Sequence, residues 1–299
     1  MIDCDERPGR PPDRTVCGDR RPCGPGSPRT RTTTPPQRRR AVTLAAAQVL
    51  LGVDTEHRWI RFAYCRLGHL FRYLPKQPGY HKRLTAAAPL LAAAITHLAQ
   101  VSPSWCDDLR LIDATPLPCG TSRETAKRSD LAGHAGYGYC AAHSRFYWGF
   151  KLYLLAAPDG MPIAWCLAHP KTGERNVCLD LLTIAVETGR LAPGATVLAD
   201  KGLAGREIEA QIAALGVTLL RPDRRDERTR HGNLGGVRQW IESVFDTLKG
   251  QLGLERHGGR TCQGVGTRVA QRLFALAAAV WHNWTTNAPL KRGVTAYDH

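Results

Sequence analysis

The segment Leu109-Arg110-Leu111-Ile112-Asp113 is a short, mostly apolar run that ends in a carboxylate, and the breaker Thr115-Pro116-Leu117-Pro118 follows it. A run of this length and composition predicts a strand that ends before the prolines. A second segment of the same design, Ala195-Thr196-Val197-Leu198-Ala199-Asp200, lies further along the chain. Two apolar strands that each end in an aspartate predict a buried sheet with acidic groups at one edge.

The segments around these strands predict a mixed sheet with helices packed on it. Phe150–Ala157 and Met161–Ala168 flank Pro158-Asp159-Gly160, which is typical of a β-hairpin. The later pattern predicts helices over Asn176–Thr188, Arg206–Leu215, Val237–Leu252 and Val265–Trp284, and a strand over Val217–Leu220. The fold class is therefore α/β, with a mixed sheet flanked by helices over residues 105–285.

Residues 41–104 are predicted to form a small helical region ahead of the sheet. Helical periodicity covers Ala41–Leu51, His57–Tyr73 and Leu84–Gln100. Two interpretations stay open, namely a remnant DNA-binding part of helix-turn-helix type and a helical support with a solvated basic face. The candidate phosphate contacts of this region are Arg58, Arg61, Arg66 and Arg72.

The two ends of the chain are predicted to be tails. Residues 1–40 are rich in Arg and Pro and lack apolar periodicity, so we expect a disordered basic tail there. This tail is either a non-specific DNA-binding arm or a segment without a role. Residues 286–299 form the second tail.

The charge of the chain predicts a polyanion as partner. The 299 residues include 41 Lys and Arg against 26 Asp and Glu, a formal net charge of +15. Nucleic acid is the commonest polyanion, so double-stranded DNA is the first partner to consider. The polar loop over residues 221–236 concentrates five arginines: Arg221, Arg224, Arg225, Arg228 and Arg230. We expect this loop to follow a DNA backbone, the alternative being a charged insertion.

The cysteines and the apolar runs exclude several classes of protein. The ten cysteines are scattered singly, with no C-x-x-C pair, so the sequence predicts neither a zinc site nor a dithiol redox site. No run of about 18 apolar residues occurs, and no charged-then-apolar leader opens the chain, so neither a membrane span nor export is predicted. We therefore expect a cytoplasmic protein with reduced thiols.

Three acidic residues, Asp113, Asp200 and Glu242, stand where the pattern otherwise wants apolar or neutral residues. A carboxylate beside a hydrophobic strand is costly unless a cation such as a metal ion balances it. Each of these acids alone is more readily explained as a helix-capping or surface residue. The three together predict a functional site that binds a cation. In the helix that carries Glu242, Arg238 and Lys249 fall along the same side, so the acid lies between two cations.

Three stretches make the chain resemble a known family. They are LIDATPLP around Asp113, VLADKGLAG around Asp200 and GGVRQWIESVFDTLKGQL around Glu242. The chain resembles the DDE-type transposases of bacterial insertion sequences, whose catalytic domain has the RNase H-like fold. The third stretch matches the R-x3-E-x6-K core of a signature found in many of these enzymes, with Gly235 where a Tyr often stands. The resemblance extends roughly from Arg58 to Trp284.

The resemblance implies a metal-dependent mechanism. Asp113, Asp200 and Glu242 would be the catalytic residues and would hold two Mg²⁺ ions, or Mn²⁺ as a substitute, about 4 Å apart. The first reaction would cut DNA at the ends of the element, and the second would join the freed 3′-hydroxyl to target DNA. The enzyme would act as a homodimer on paired ends, in the bacterial cytoplasm and associated with the nucleoid.

The resemblance also implies DNA contacts for the cations near the acids. Arg238 and Lys249 would contact phosphates beside the scissile one, and Lys201 would neutralise charge in the transition state. For Lys201 the alternative is a solvated turn residue. The predicted contacts from the polar loop are Arg221, Arg224 and Arg225.

Two other functions stay open at this point. One is a truncated or inactive transposase remnant that only binds DNA, and the other is an RNase H-like nuclease or resolvase that cuts without joining. The segment 133–145 is a further candidate for DNA contact, because its aromatic and basic residues could stack flipped bases at the element end. These residues are His134, Tyr137, Tyr139, His143 and Arg145.

Overall fold

A mixed sheet forms the centre of the computed structural model, which describes residues 2–3, 35–120, 123–140, 144–225, 227, 234–289 and 294. Within those residues the sheet has seven strands, which are β1 (Ile2–Asp3), β2 (Leu109–Gly120), β3 (Gly136–Cys140), β4 (Arg145–Ala156), β5 (Pro162–Ala168), β6 (Thr196–Leu198) and β7 (Thr218–Leu220). Their order across the sheet is β1-β5-β4-β2-β6-β7, and β3 pairs with β4 off this path.

The middle strands set the topology. β5, β4 and β2 are antiparallel neighbours, whereas β6 and β7 extend the sheet from β2 in parallel. Parallel strands need crossover connections, and helices between β5 and β6 and between β6 and β7 supply them. The predicted α/β architecture, a mixed sheet flanked by helices, is confirmed.

β2 is longer than the sequence pattern predicts, because it continues through the expected breaker to Gly120. Its neighbour β6 pairs with it only over Leu109–Leu111, so one side of β2 is an edge beyond that point. On the other side β4 stays paired as far as Gly120. A strand tolerates proline where the missing N–H would face such an edge, which is how Pro116 and Pro118 are accommodated.

The predicted hairpin around Asp159 joins β4 to β5. Gly160 takes a φ of 92°, a conformation that glycine adopts without strain. Asp159 Oδ1 accepts a hydrogen bond from the Met161 N–H (2.9 Å), and its Oδ2 accepts one from the indole N–H of Trp284 (2.8 Å). The turn is thereby tied to the last helix of the chain.

A helix is present in each of the seven segments predicted to be helical, with different ends, and the described residues contain nine α-helices in all. Within the described residues they are α1 (Pro35–Leu50), α2 (Glu56–Phe62), α3 (Gln77–Ala86), α4 (Ala88–Gln100), α5 (Arg123–Arg128), α6 (Glu174–Glu187), α7 (Arg206–Ala214), α8 (Gly235–Asp246) and α9 (Cys262–Thr285). The pattern misses α5 and β3, and it predicts one helix where α3 and α4 are separate. The single helix predicted over His57–Tyr73 is α2 followed by two short irregular turns.

The predicted tails differ from the structure at three places. α1 begins at Pro35, inside the segment predicted as a disordered tail, because proline is compatible with the first turn of a helix. Ile2–Asp3 pairs with β5, and the rest of that tail, residues 1 and 4–34, lies outside the described residues. In the second tail, Val294 is buried, and its N–H donates to Gln251 Oε1 (3.1 Å).

The helical region shares its core with the sheet. α1, α3 and α4 pack against α9, and one hydrophobic cluster runs through all of them. Gln271 of α9 donates to the Ala45 carbonyl (2.9 Å) and to Gln48 Oε1 (3.1 Å). The helical region therefore supports the sheet, and the four arginines predicted as phosphate contacts are exposed on it: Arg58, Arg61, Arg66 and Arg72.

His257 is a buried histidine that ties the segment before α9 to β2. It is 4% exposed. Its Nδ1 accepts from the Gly259 N–H (3.0 Å), so its Nε2 carries the proton and donates to the Pro118 carbonyl (3.0 Å). Burial lowers the pKa of His257 to about 4; the Pro118 carbonyl opposes this, and the charges of Arg272 and Arg268 add to it.

The buried His257 predicts a loss of stability in acid. Its pKa in the folded chain lies below the ordinary value of 6.5, so the unfolded chain binds more protons between these two values. Above about pH 6.5 the neutral His257 costs the fold nothing. As the pH falls towards 4, the free energy of unfolding decreases by about 3 kcal/mol in total. We expect urea titrations at pH 7.5 and pH 4.5 to show this loss in the wild type, and His257→Gln to show a smaller loss. An equal loss in both proteins would assign the pH dependence to other groups.

Candidate active site

Asp113 and Asp200 are neighbours because of the register between two parallel strands. Leu111 of β2 pairs with Leu198 of β6, and each aspartate follows its leucine by two positions. Parallel strands run in the same direction, so the two carboxylates arrive at the same edge of the sheet.

The Asp113 carboxyl is poorly solvated. Burial is the main reason that its pKa is raised to about 6. The hydrogen bond from Ala114 N–H to its Oδ1 (2.7 Å) lowers the pKa. The carboxylates of Glu174 and Asp200 raise it, and the Arg238 guanidinium lowers it. Asp113 is therefore in electrostatic contact with two other acids and one cation.

Asp200 lies at the start of a short turn that follows β6. Its side chain accepts a hydrogen bond from the Lys201 N–H (2.6 Å) and so caps the turn Lys201–Leu203. Arg175 of α6 donates to the Gly202 carbonyl (3.0 Å), which fixes the turn against the helix. The Asp200 side chain remains 37% exposed, so it is accessible to a ligand.

Glu242 is carried by α8, which packs on β2. One face of this helix is apolar, and its buried residues are Ile241, Val244 and Phe245. The neighbouring face presents Glu242, which is 56% exposed, beside Arg238. Arg238 Nη2 lies 4.0 Å from Glu242 Oε1 and 3.4 Å from Asp200 Oδ1. The structure thus brings Asp200 and Glu242 to one guanidinium, which also acts electrostatically on Asp113.

A comparison with protein family models matches residues 104–278 to the transposase DDE domain. The match covers more than half of the chain and includes Asp113, Asp200 and Glu242. The chain belongs to the DDE transposase family. A search of curated proteins finds no match.

Membership of the DDE transposase family accounts for both the fold and the acidic site. The mixed sheet flanked by helices is consistent with the RNase H-like fold of a transposase DDE domain. Membership implies a transposition enzyme that acts on DNA, and transposases of this family generally use divalent metal ions. The helical region before residue 104 lies outside the match.

Glu174 is a fourth acid at the transposase site, and the sequence interpretation missed it. It lies in the first turn of α6 and raises the pKa of Asp113. Lys151 of β4 pairs with it, Nζ to Oε2, at 3.4 Å. An acid in the first turn of a helix is ordinary compensation of the helix dipole, so the sequence pattern alone gives no reason to select it.

The acids of the site are not gathered around a single point. Among the residues that the structure describes, no group of three His, Cys, Asp or Glu side chains is arranged to hold a metal ion. Arg238 occupies the space between Asp200 and Glu242. The arrangement is a cluster of carboxylates with a guanidinium between two of them.

Lys249 is displaced from the helical phase that the sequence predicts. The expected helix over Val237–Leu252 is α8 followed by a π-helical turn, Thr247–Gln251. A π turn takes more residues than an α turn, so residues within it depart from the side of the helix defined by Arg238 and Glu242. Lys249 is half-buried within this turn.

Arg221 differs from its predicted role as a DNA contact. Its side chain is 6% exposed and is enclosed by two carboxylates. Its Nε donates to Glu209 Oε1 (2.9 Å), and its Nη1 and Nη2 donate to the two oxygens of Glu227 (2.6 and 2.8 Å). These hydrogen bonds, first those to Glu227, raise the pKa of the guanidinium. Arg221 therefore holds the start of the loop to α7 and cannot reach a phosphate.

The other basic residues predicted to contact DNA lie at the surface. Arg225 and Lys201 are exposed. Arg224 is also exposed, and its Nη2 donates to the Ala204 carbonyl (3.1 Å). Of the five loop arginines, Arg228 and Arg230 lie outside the described residues.

None of the described helices is long and apolar enough to cross a membrane.

Proposed function

We propose that the chain is a DNA transposase that cuts the ends of an insertion sequence by metal-dependent phosphodiester hydrolysis and joins the freed 3′-hydroxyl to target DNA. The observation that carries this proposal is the meeting of Asp200 and Glu242 at Arg238 Nη2, 3.4 and 4.0 Å away, within electrostatic range of Asp113. Acids that converge from three elements, one of them with a pKa raised by burial and by neighbouring carboxylates, are typical of functional sites.

The donor chemistry of the site fits a divalent cation. Carboxylate oxygens are the ligands that Mg²⁺ and Mn²⁺ prefer. Burial and two neighbouring carboxylates destabilise the ionised form of Asp113, and a bound cation would relieve both effects. Asp113, Asp200 and Glu242 would hold two such ions, which supply Lewis-acid stabilisation of charge on the reacting phosphodiester.

The cations of the site have separate roles in this proposal. Arg238 balances the charge of Asp200 and Glu242 when no metal is bound, and once ions occupy these acids it would present positive charge to an incoming phosphate. Lys201, exposed directly after Asp200, neutralises negative charge that develops on the phosphoryl oxygens. Lys249 contacts a flanking phosphate from the π turn beyond Glu242.

The DNA partner is double-stranded at the element ends and at the target. Arg224 and Arg225 supply backbone contacts at the start of the polar loop, and the net charge of +15 supports such binding. Pairing of two element ends calls for a homodimer on DNA. A chromosomal substrate implies action at the bacterial nucleoid.

A cleavage and joining assay tests the proposal. Purified full-length chain is incubated with a supercoiled plasmid that carries the DNA flanking its gene, in Mg²⁺, in Mn²⁺ or in EDTA. We expect nicks at defined positions and joined products with either metal, and neither product in EDTA. Glu242→Gln should give neither product, whereas Glu187→Gln, an exposed glutamate at the end of α6, should behave as the wild type.

The products separate the three functions. Joined DNA supports a transposase, nicked DNA without joining indicates a nuclease or resolvase, and binding without cleavage indicates an inactive remnant. Cleavage that survives in Glu242→Gln would contradict the assignment of the acids.

A further inference from the structure

β3 and the first part of β4 form a two-stranded ribbon with aromatic side chains on one face. In its register Tyr137 stands opposite Trp148, and Tyr139 stands opposite Phe146. Directly opposed residues of an antiparallel pair share a face, and residues two apart along a strand share it too. Four aromatic rings therefore occupy the same face of the ribbon.

Three of these four rings are open to solvent. Trp148 is buried at the base of the ribbon, whereas Tyr137 is 48%, Tyr139 53% and Phe146 77% exposed. The rings of Tyr139 and Phe146 contact each other, with centroids 5.0 Å apart. A contiguous group of exposed large apolar side chains marks an interaction site more often than a single one does.

The opposite face of the ribbon is packed, which fixes the direction of the aromatic face. The Tyr147 ring covers Gly138, where an added Cβ would lie 2.6 Å from the ring and 2.8 Å from Pro170 Cβ. Gly136 meets the His169 ring even more closely. Because this face is packed against the protein, the aromatic face is the one that points to solvent and can contact a partner.

Cations surround the aromatic face. An open cavity of about 1180 Å³ is lined by Tyr137, Phe146 and Trp148 together with Arg123, Lys127, Arg145 and Arg256. Three acids pair with three of these cations at 3.5–3.8 Å: Glu124 with Lys127, Glu255 with Arg145 and Asp54 with Arg256. No described carboxylate pairs with Arg123, which is exposed. The cavity thus combines open aromatic rings with an excess of positive charge.

A cavity with exposed aromatic rings and an excess of cations is suited to an anionic partner that carries flat apolar groups. Single-stranded nucleic acid has both features, since its phosphates match the cations and its unpaired bases stack on aromatic rings. A second copy of the same surface would bring like charges together, which opposes a symmetric contact. A paired duplex offers phosphates but keeps its base faces covered.

The position of the face relates it to the candidate active site. Leu154 of β4 stands opposite Asp113, and Phe146 precedes Leu154 by eight positions on the same strand. At about 3.4 Å per residue the two places are about 27 Å apart along β4. This distance corresponds to about eight stacked nucleotides.

We propose that the aromatic face of the β3–β4 ribbon binds an unpaired stretch of DNA about eight nucleotides from the reacting phosphodiester, by stacking bases on Tyr139 and Phe146. The inference rests on the proposed action on DNA. It assigns to the transposase a second DNA subsite that is separate from the acids.

Binding of a labelled oligonucleotide to the full chain, without metal, tests the subsite. Fluorescence anisotropy with a 20-nucleotide oligo(dT) and with a duplex of the same length compares the wild type with Tyr139→Ala/Phe146→Ala. We expect the double variant to lose affinity for oligo(dT) about tenfold or more and for the duplex less than about twofold, because stacking needs unpaired bases. The variant Tyr139→Phe/Phe146→Tyr keeps both rings and should bind as the wild type does.

Tyr73→Ala is the matched control, because Tyr73 is 57% exposed and lies in the helical region. An equal loss for oligo(dT) and duplex, or no loss, would overturn the proposal. So would a dimer in light scattering that the double alanine variant converts to a monomer, since the face would then bind a second copy. The cleavage assay tests the proposed function independently of this subsite. If the wild type cleaves DNA and the double variant binds oligo(dT) as the wild type does, this inference is wrong and the proposed function is unaffected.

Discussion

Asp200→Asn is expected to abolish plasmid nicking while leaving DNA binding intact. The amide keeps the size of the side chain and its capping of the Lys201 N–H, but it removes a carboxylate that we propose as a metal ligand. We expect the nicking rate to fall by about a thousandfold or more, which corresponds to about 4 kcal/mol of transition-state stabilisation. Anisotropy with a duplex from the element end should give an affinity within about twofold of the wild type.

Asp246→Asn is the control for this change. Asp246 is an exposed aspartate at the end of α8, one helical turn beyond Glu242, so its substitution makes the same change in net charge near the acids without removing a proposed metal ligand. It should cut at the wild-type rate. If Asp200→Asn also cut at the wild-type rate, the turn after β6 would have only a structural role.

Arg221→Ala is expected to destabilise the fold rather than to weaken DNA binding directly. The substitution leaves Glu209 and Glu227 facing each other without the guanidinium that joins them. Removing one partner of a buried ion pair costs about 3–5 kcal/mol, and the partial exposure of the two glutamates favours the lower part of that range. Thermal unfolding should show a decrease in Tm of about 5–10 °C. Arg221→Lys should also be destabilised, because one ammonium cannot reproduce the forked contacts.

Arg225→Ala is the comparison for Arg221→Ala. Arg225 is exposed, so we expect its stability to stay within about 0.5 kcal/mol of the wild type and its DNA affinity to fall. A wild-type Tm with weakened DNA binding in Arg221→Ala would restore Arg221 as a DNA contact.

The sheet could be predicted from sequence because its strands carry their own signals. The apolar runs that end at Asp113 and Asp200 mark neighbouring strands, and the Pro158-Asp159-Gly160 turn marks the hairpin. The length of β2 could not be predicted, since it depends on where β6 stops pairing and opens an edge for Pro116 and Pro118. The local sequence pattern predicts whether a segment is a strand or a helix, whereas pairing with neighbouring strands determines where a strand ends.

Three of the four acids at the candidate site could be selected from the sequence, whereas Glu174 and the environment of Arg221 could not. Asp113, Asp200 and Glu242 stand out because each breaks an apolar pattern. Arg221 looks like its neighbours in sequence, and only the position of Glu209 on α7 shows that it is an internal cross-link. Glu174 sits in an ordinary helical first turn, and only the three-dimensional proximity to Asp113 distinguishes it.

The pairing of Leu111 with Leu198 has a consequence for how such genes diverge and how they can be engineered. Each aspartate lies two residues after a leucine, and the two leucines are paired across the sheet. The spacing between the two carboxylates therefore depends on this pairing and not on the length of chain that connects the strands. Insertions in the loops of that connection leave the spacing unchanged, whereas a single residue added or deleted between either leucine and its aspartate shifts one carboxylate against the other.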